Sequence, residues 1–117
     1  MLRIKNLSFS YPNEGRILEN VSFEIGQNGI YSIIGLNGAG KSTLLRLCAG
    51  IIRPESGTIE LDGKDISAKS FMELAKVRSY LPQNVFLPVD FPVVDFIRYG
   101  AYFEMDVFSR VGHEREA

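Results

Sequence analysis

The chain has 117 residues, 45% of them hydrophobic and 23% charged, which suits one modest globular domain with a single core. Thirteen basic residues against fourteen acidic ones leave a net charge of −1, so no bulk attraction to nucleic acid or anionic lipid follows. The opening Met1-Leu2-Arg3-Ile4-Lys5 lacks the apolar core of a signal peptide, and no apolar run approaches the ~20 residues of a membrane span, so any membrane role must be borrowed from a partner.

Residues 2–9 read as a strand, with Leu2, Ile4, Leu7 and Phe9 spaced for burial and Arg3 and Lys5 between them. Tyr11-Pro12-Asn13-Glu14-Gly15 is a turn, punctuated by proline and glycine. A second strand is expected at 17–25, where Val21, Phe23 and Ile25 alternate with Ser22 and Glu24. After the turn signal Asn28-Gly29, Ile30-Tyr31-Ser32-Ile33-Ile34 is a short, nearly continuous apolar run, the pattern of a buried parallel strand. Ser42 to Ala49 should be helical, with Leu44, Leu45, Leu47 and Cys48 on its apolar side and Gly50 as its stop. Cys48, the single cysteine, has no partner for an internal disulfide and is expected to be a buried, reduced thiol.

Arg53-Pro54-Glu55-Ser56-Gly57 turns the chain, and Thr58-Ile59-Glu60-Leu61 alternates as a half-exposed strand ending at Asp62-Gly63. Ser70-x-x-Glu73 is a capping box that announces a helix over about 70–77. Ser79-Tyr80-Leu81 reads as another short strand, stopped by Pro82, and 84–92 is loop-like. Val93, Phe96, Ile97 and Ala101 recur at helical spacing, giving an amphipathic helix to about Phe103. The polar stretch from Arg110 to Ala117 is expected to fray.

Chemistry concentrates in Gly35-Leu36-Asn37-Gly38-Ala39-Gly40-Lys41-Ser42, which meets the pattern G-x-x-x-x-G-K-[S/T]. Glycines let the backbone fold tightly enough for successive N–H groups to converge on phosphate oxygens. A helix beginning near Lys41 adds its positive dipole end. Lys41 supplies a point charge for the β- and γ-phosphates, and the Ser42 hydroxyl is a magnesium ligand candidate. The motif sits between an apolar run and a helix, as that mechanism requires. The bland alternative is a glycine-rich β–α turn with no ligand.

The chain resembles the ATP-binding subunits of ABC transporters over nearly its whole length. Ser10-Tyr11-Pro12 is similar to their A-loop, whose aromatic ring stacks on adenine, although a strand-end tyrosine can also be merely structural. Residues 17–25 resemble the following strand, and the loop extended through Thr43-Leu44-Leu45 is very close to the family's Walker A. Gly50 to Ile59 with Asp62-Gly63 resembles the link into the family's antiparallel sheet. Leu81-Pro82-Gln83 resembles the Q-loop; taken alone, an exposed loop glutamine usually does nothing. Ile30 departs from the family, where an acidic residue usually follows the glycine. GTPases would need Asp-x-x-Gly and Asn-Lys-x-Asp, and neither pattern is present; small-molecule kinases do not explain Tyr11 or Leu81-Pro82-Gln83.

The resemblance implies an α/β fold, a P-loop NTPase core with an antiparallel β subdomain, cut before the signature motif and Walker B. It divides a single, incomplete domain into an antiparallel part (1–29 and 57–66), a P-loop core (30–56 and 67–83) and the start of a helical subdomain (84–117). It implies ATP and Mg2+ as ligands, with Tyr11, Asn37, Gly38, Ala39, Gly40, Lys41, Ser42 and Thr43 holding nucleotide, Lys41 and Gln83 in catalytic roles, and Ser42 and Gln83 at the metal. Implied partners are transmembrane permease subunits and a second ATPase subunit, a homodimer at full length, with no nucleic acid. Implied location is cytoplasmic, on the inner face of the cell membrane. Two other readings stay open: a soluble ABC-type ATPase of translation or DNA repair, and a nucleotide-binding fragment without activity.

Several catalytic parts of that family are not found in these 117 residues: Walker B with its glutamate, the Leu-Ser-Gly-Gly-Gln signature and the switch histidine. Val85-Phe86-Leu87-Pro88-Val89-Asp90 is a decoy for Walker B, because Pro88 removes a ladder donor and Phe91 stands where the glutamate belongs. His113 lies in a charged tail. The 117 residues are therefore expected to grip nucleotide and not to cut it. Asp90 to Gly100 resembles the same region of iron–siderophore or vitamin B12 importers, with Ala101 where a basic residue is common. Phe86, Phe91, Tyr99, Tyr102 and Phe103 offer aromatic surface either for a transmembrane partner or for the interior of a larger subdomain.

Overall fold

The computed structural model describes residues 1–84 and 92–99. Contacts divide the chain into two compact units, residues 1–79 and residues 80–117. In the first, β1 (Leu2–Ser10), β2 (Arg16–Ile25), β3 (Ser56–Leu61) and β4 (Lys64–Asp65) form one antiparallel sheet in the order β2-β1-β3-β4. Ile4, Leu7, Leu18 and Ile59 point inward, Ile4 and Leu7 sharing a face because a register shift interrupts the strict alternation between them. The outward positions of the sheet pair charges across strands, where Arg3 lies opposite both Glu24 and Glu60 and binds the Glu24 carboxylate. Lys5 reaches Glu60 at 2.7 Å. Such exposed pairs help fix register more than they add stability.

β1 is not a regular strand. Its register with β2 shifts between Ile4 and Leu7, where Asn6 takes φ 49°, and Asn20 in β2 takes φ 51°. Side-chain hydroxyls satisfy the displaced amides: Asn6 N–H donates to Ser22 Oγ at 2.8 Å, and Asn20 N–H donates to Ser8 Oγ at 3.0 Å.

Helix α1 (Lys41–Cys48) packs on this sheet through Leu44 and Leu47. Leu45, expected on the apolar side, is instead 48% exposed, because the helix buries a narrow stripe and Leu45 falls outside it. The helix ends in a Schellman motif, with Gly50 at φ 63° and Ile51 N–H donating to the Arg46 carbonyl at 2.9 Å. Cys48 is half-buried, and burial pushes its thiol up to about 11, so it is held as the inert thiol. A short 3-10 turn at Ile66–Ala68 leads to α2 (Phe71–Ala75), which carries the expected capping box. Glu73 N–H donates to Ser70 Oγ, and Ser70 N–H donates to the Glu73 carboxylate. Ile66 and Leu74 complete the core.

Two expected strands are absent from the described structure. Residues 30–34 belong to no strand, and Ile30 and Ile34 are 100% and 92% exposed. Residues 79–81 are also outside any strand. A parallel strand exists only through ladder bonds to neighbours, and the described sheet offers none that pairs with either segment. In the second unit, α3 (Val93–Tyr99) starts after Pro92, with Asp95 in its first turn and Arg98 in its last. Val93, Val94, Phe96 and Ile97 are exposed on it. The Walker B decoy, Ala101, Tyr102, Phe103, His113 and the polar tail lie outside the described residues. Among the described residues, no helix is long and apolar enough to cross a membrane.

Candidate nucleotide-binding site

The phosphate-loop residues form a tight turn between the 30–34 segment and α1. Ala39 N–H donates to the Leu36 carbonyl at 3.2 Å, and Gly38 and Gly40 take φ 82° and 86°. Both angles lie in the region that penalises any side chain. Gly40 is also the N-cap of α1, and it has to be small for a second reason. A Cβ there would meet Leu18 Cδ2 at 3.0 Å, Ile17 Cγ2 at 3.1 Å and the Ile17 carbonyl at 3.3 Å. The loop is thus seated against β2. No such contact exists at Gly38, where nothing lies within 4 Å.

Lys41 turns back over the loop, its ammonium donating to the Gly35 carbonyl at 2.8 Å and the Leu36 carbonyl at 2.6 Å. The charge is therefore held beside the turn. Helix geometry leaves the first amides of α1 without intrahelical acceptors, Gly40 supplies no side-chain cap, and the first turn carries no acidic residue. Those amides and Lys41 together favour an anion, and no carboxylate in that turn opposes one. Ser42 is exposed at the helix start, whereas Thr43 is only 7% exposed, buried beside Leu44. Asn37, Gly38 and Ala39 are exposed.

Tyr11 sits half-buried just past the end of β1. Its ring meets Phe9 edge-to-face, with centroids 4.8 Å apart at 89°, and its hydroxyl accepts from Arg46 Nη1 at 3.5 Å. Arg46 lies on α1, so the structure brings Tyr11 and the loop's helix together. Gln83 belongs to the second unit, exposed at a bend. Sequence reading passed over Phe9 and Arg46 as neighbours of Tyr11. Phe9 had a signal in its i, i+2 spacing along the strand, and Arg46 had none, since its approach depends on how α1 packs.

Comparison with known proteins adds what geometry alone does not. A Helicobacter pylori protein named "Probable iron chelatin transport ATP-binding protein" is 37% identical over 120 residues, covering 100% of this chain and 47% of its own. The methionine import ATP-binding protein MetN of Carboxydothermus hydrogenoformans is 46% identical over 80 residues, covering 67% of this chain and 24% of its own. The chain therefore spans less than half the length of these curated relatives. A solved ATP-binding subunit of an ABC transporter superposes with a TM-score of 0.77 at 28% identity, covering 98% of this chain and 46% of that one. The ABC transporter family pattern matches residues 18–108, and with the phosphate loop, the sheet and the superposition agreeing, the chain belongs to the ABC transporter ATP-binding family, with the ABC ATPase fold.

Proposed function

We propose that these residues are the nucleotide-gripping part of a transporter ATPase subunit that couples ATP binding and hydrolysis to movement of a substrate across a membrane. One observation carries the reading: a glycine turn seated on β2 holds an ammonium beside the acid-free start of α1. In this reading Asn37, Gly38, Ala39 and Gly40 direct amides at the phosphates, and Lys41 exchanges its carbonyl acceptors for phosphate oxygens. Thr43 contributes its backbone amide, one of the first amides of α1. Tyr11 stacks on adenine. The exposed Ser42 hydroxyl suits a magnesium ligand, and Gln83 acts at the same ion and the attacking water; magnesium would screen phosphate charge as the bond to the leaving group lengthens.

The partners proposed are transmembrane permease subunits and a second ATPase subunit, with no nucleic acid, and the location is the cytoplasmic face of the cell membrane. Transport of an iron chelate is favoured by the stretch after Gln83 and by the name of the Helicobacter relative. The signature, Walker B and switch histidine are not among these residues, so the 117-residue chain is proposed to bind Mg-ATP without turning it over.

Calorimetry with Mg-ATP tests the reading. Lys41→Ala should weaken binding at least about tenfold, since it removes a charge-assisted contact to phosphate, while Gln83→Ala should change it less than about threefold. Equal losses would refute the assignment of roles, and steady Lys41-dependent phosphate release from the unsubstituted chain would refute the division between grip and cleavage.

A further inference from the structure

We infer that Arg46 is a positioning residue for Tyr11, fastening the ring to the helix that starts at the phosphate loop; this rests on the reading of Tyr11 as the adenine platform. A tyrosine ring has two rotatable bonds, and it can serve as a platform only if both are restrained before the ligand arrives. Two contacts restrain this one. Phe9 meets the ring body edge-to-face at 4.8 Å, and Arg46 Nη1 donates to the far hydroxyl at 3.5 Å, the outer limit of a hydrogen bond. The first contact comes from the strand that Tyr11 follows and fixes the ring only relative to β1. The second comes from α1, five positions past Lys41, about 7.5 Å along the helix axis.

That spacing gives Arg46 a role that Phe9 lacks. The start of α1 holds the phosphate end of a nucleotide and Arg46 holds the ring at its base end, so one rigid element sets the distance between them. Removing Arg46 leaves the phosphate grip intact and lets the platform rotate. Arg46 is exposed, so its loss does not open the core.

The test compares ATP with inorganic tripolyphosphate, which has the phosphates and no base, by calorimetry on the 117-residue chain. Arg46→Ala should weaken ATP about threefold and leave tripolyphosphate unchanged, and Arg46→Lys should recover part of the loss. In a Tyr11→Phe background, which lacks the hydroxyl, Arg46→Ala should cost nothing further. Phe9→Leu should also weaken ATP alone. Equal weakening of both ligands by Arg46→Ala, or full additivity with Tyr11→Phe, would overturn the inference. Failure of the unsubstituted chain to bind either ligand would instead overturn the nucleotide-binding reading beneath it.

Discussion

Replacing Gly40 and Gly38 by alanine, one at a time, separates two costs that are usually confounded in a glycine-rich loop. The two residues have nearly the same backbone, φ 86° and 82°. Each alanine therefore incurs a left-handed penalty of roughly 1–2 kcal/mol, partly offset by roughly 0.4–1 kcal/mol from the stiffer unfolded chain. At Gly38 the account ends there, because nothing lies within 4 Å of the new methyl. At Gly40 the methyl arrives 3.0 Å from Leu18 Cδ2, 3.1 Å from Ile17 Cγ2 and 3.3 Å from the Ile17 carbonyl. Side-chain ends can yield by a few tenths of an ångström, but a carbonyl in β2 cannot do so freely, which adds about 1–2 kcal/mol of overpacking. The difference corresponds to roughly 5–12 °C in melting temperature for a domain of this size. Thermal unfolding followed by circular dichroism reads it directly, with Gly40→Ala melting lower. Equal depressions at the two positions would refute the argument that the loop is seated on β2.

Other outcomes follow from the same reasoning. Gly57 takes φ 87°, and a Cβ there would fall 2.5 Å from the Lys5 and Asn6 carbonyls, both backbone. Gly57→Ala should therefore lower the melting temperature by more than about 10 °C, and Gly63→Ala, with φ 74° and open space, by only about 4 °C; similar values would count against the close approach of β3 to the β1 bulge. Ser70→Ala removes the cap of α2 and should cost about 5 °C at neutral pH. The Ser70 hydroxyl and amide hold the Glu73 carboxyl below its ordinary value, so the part of the cap that rests on the carboxylate is present above the ordinary glutamate range and is lost as pH falls through the depressed one. The Glu73 N–H bond to Ser70 Oγ does not titrate, so the gap between parent and variant should narrow in acid without closing, and a constant gap would contradict the bond from the Ser70 hydroxyl to the carboxylate.

Much of the site was legible in the residues because its determinants are local. The phosphate loop, the Ser70–Glu73 box and the Gly50 stop each depend on bonds spanning six residues or fewer, and all three turns formed where the sequence placed them. The apolar spacing in β1 and β3 likewise named Ile4, Leu7 and Ile59 as buried, although Ile4 and Leu7, three apart, share a face only because the register shifts between them at Asn6. Apolar content misled at Ile30–Ile34, where the pattern of a buried strand is exposed. Hydrophobicity says that a segment has burial to gain, while a ladder needs a neighbour that composition cannot name.

What the sequence determined by itself is the chemistry of the loop: which residues carry amides, charge and hydroxyl, and in what order along the chain. Tertiary structure alone decided which surfaces constrain that chemistry. Gly40 lies against Ile17, Tyr11 lies between Phe9 and Arg46, and Gly57 crosses the bulge at Asn6. Those contacts join residues far apart in the chain or on separate elements, so they follow from how α1 and the strands pack, which no short stretch of residues encodes.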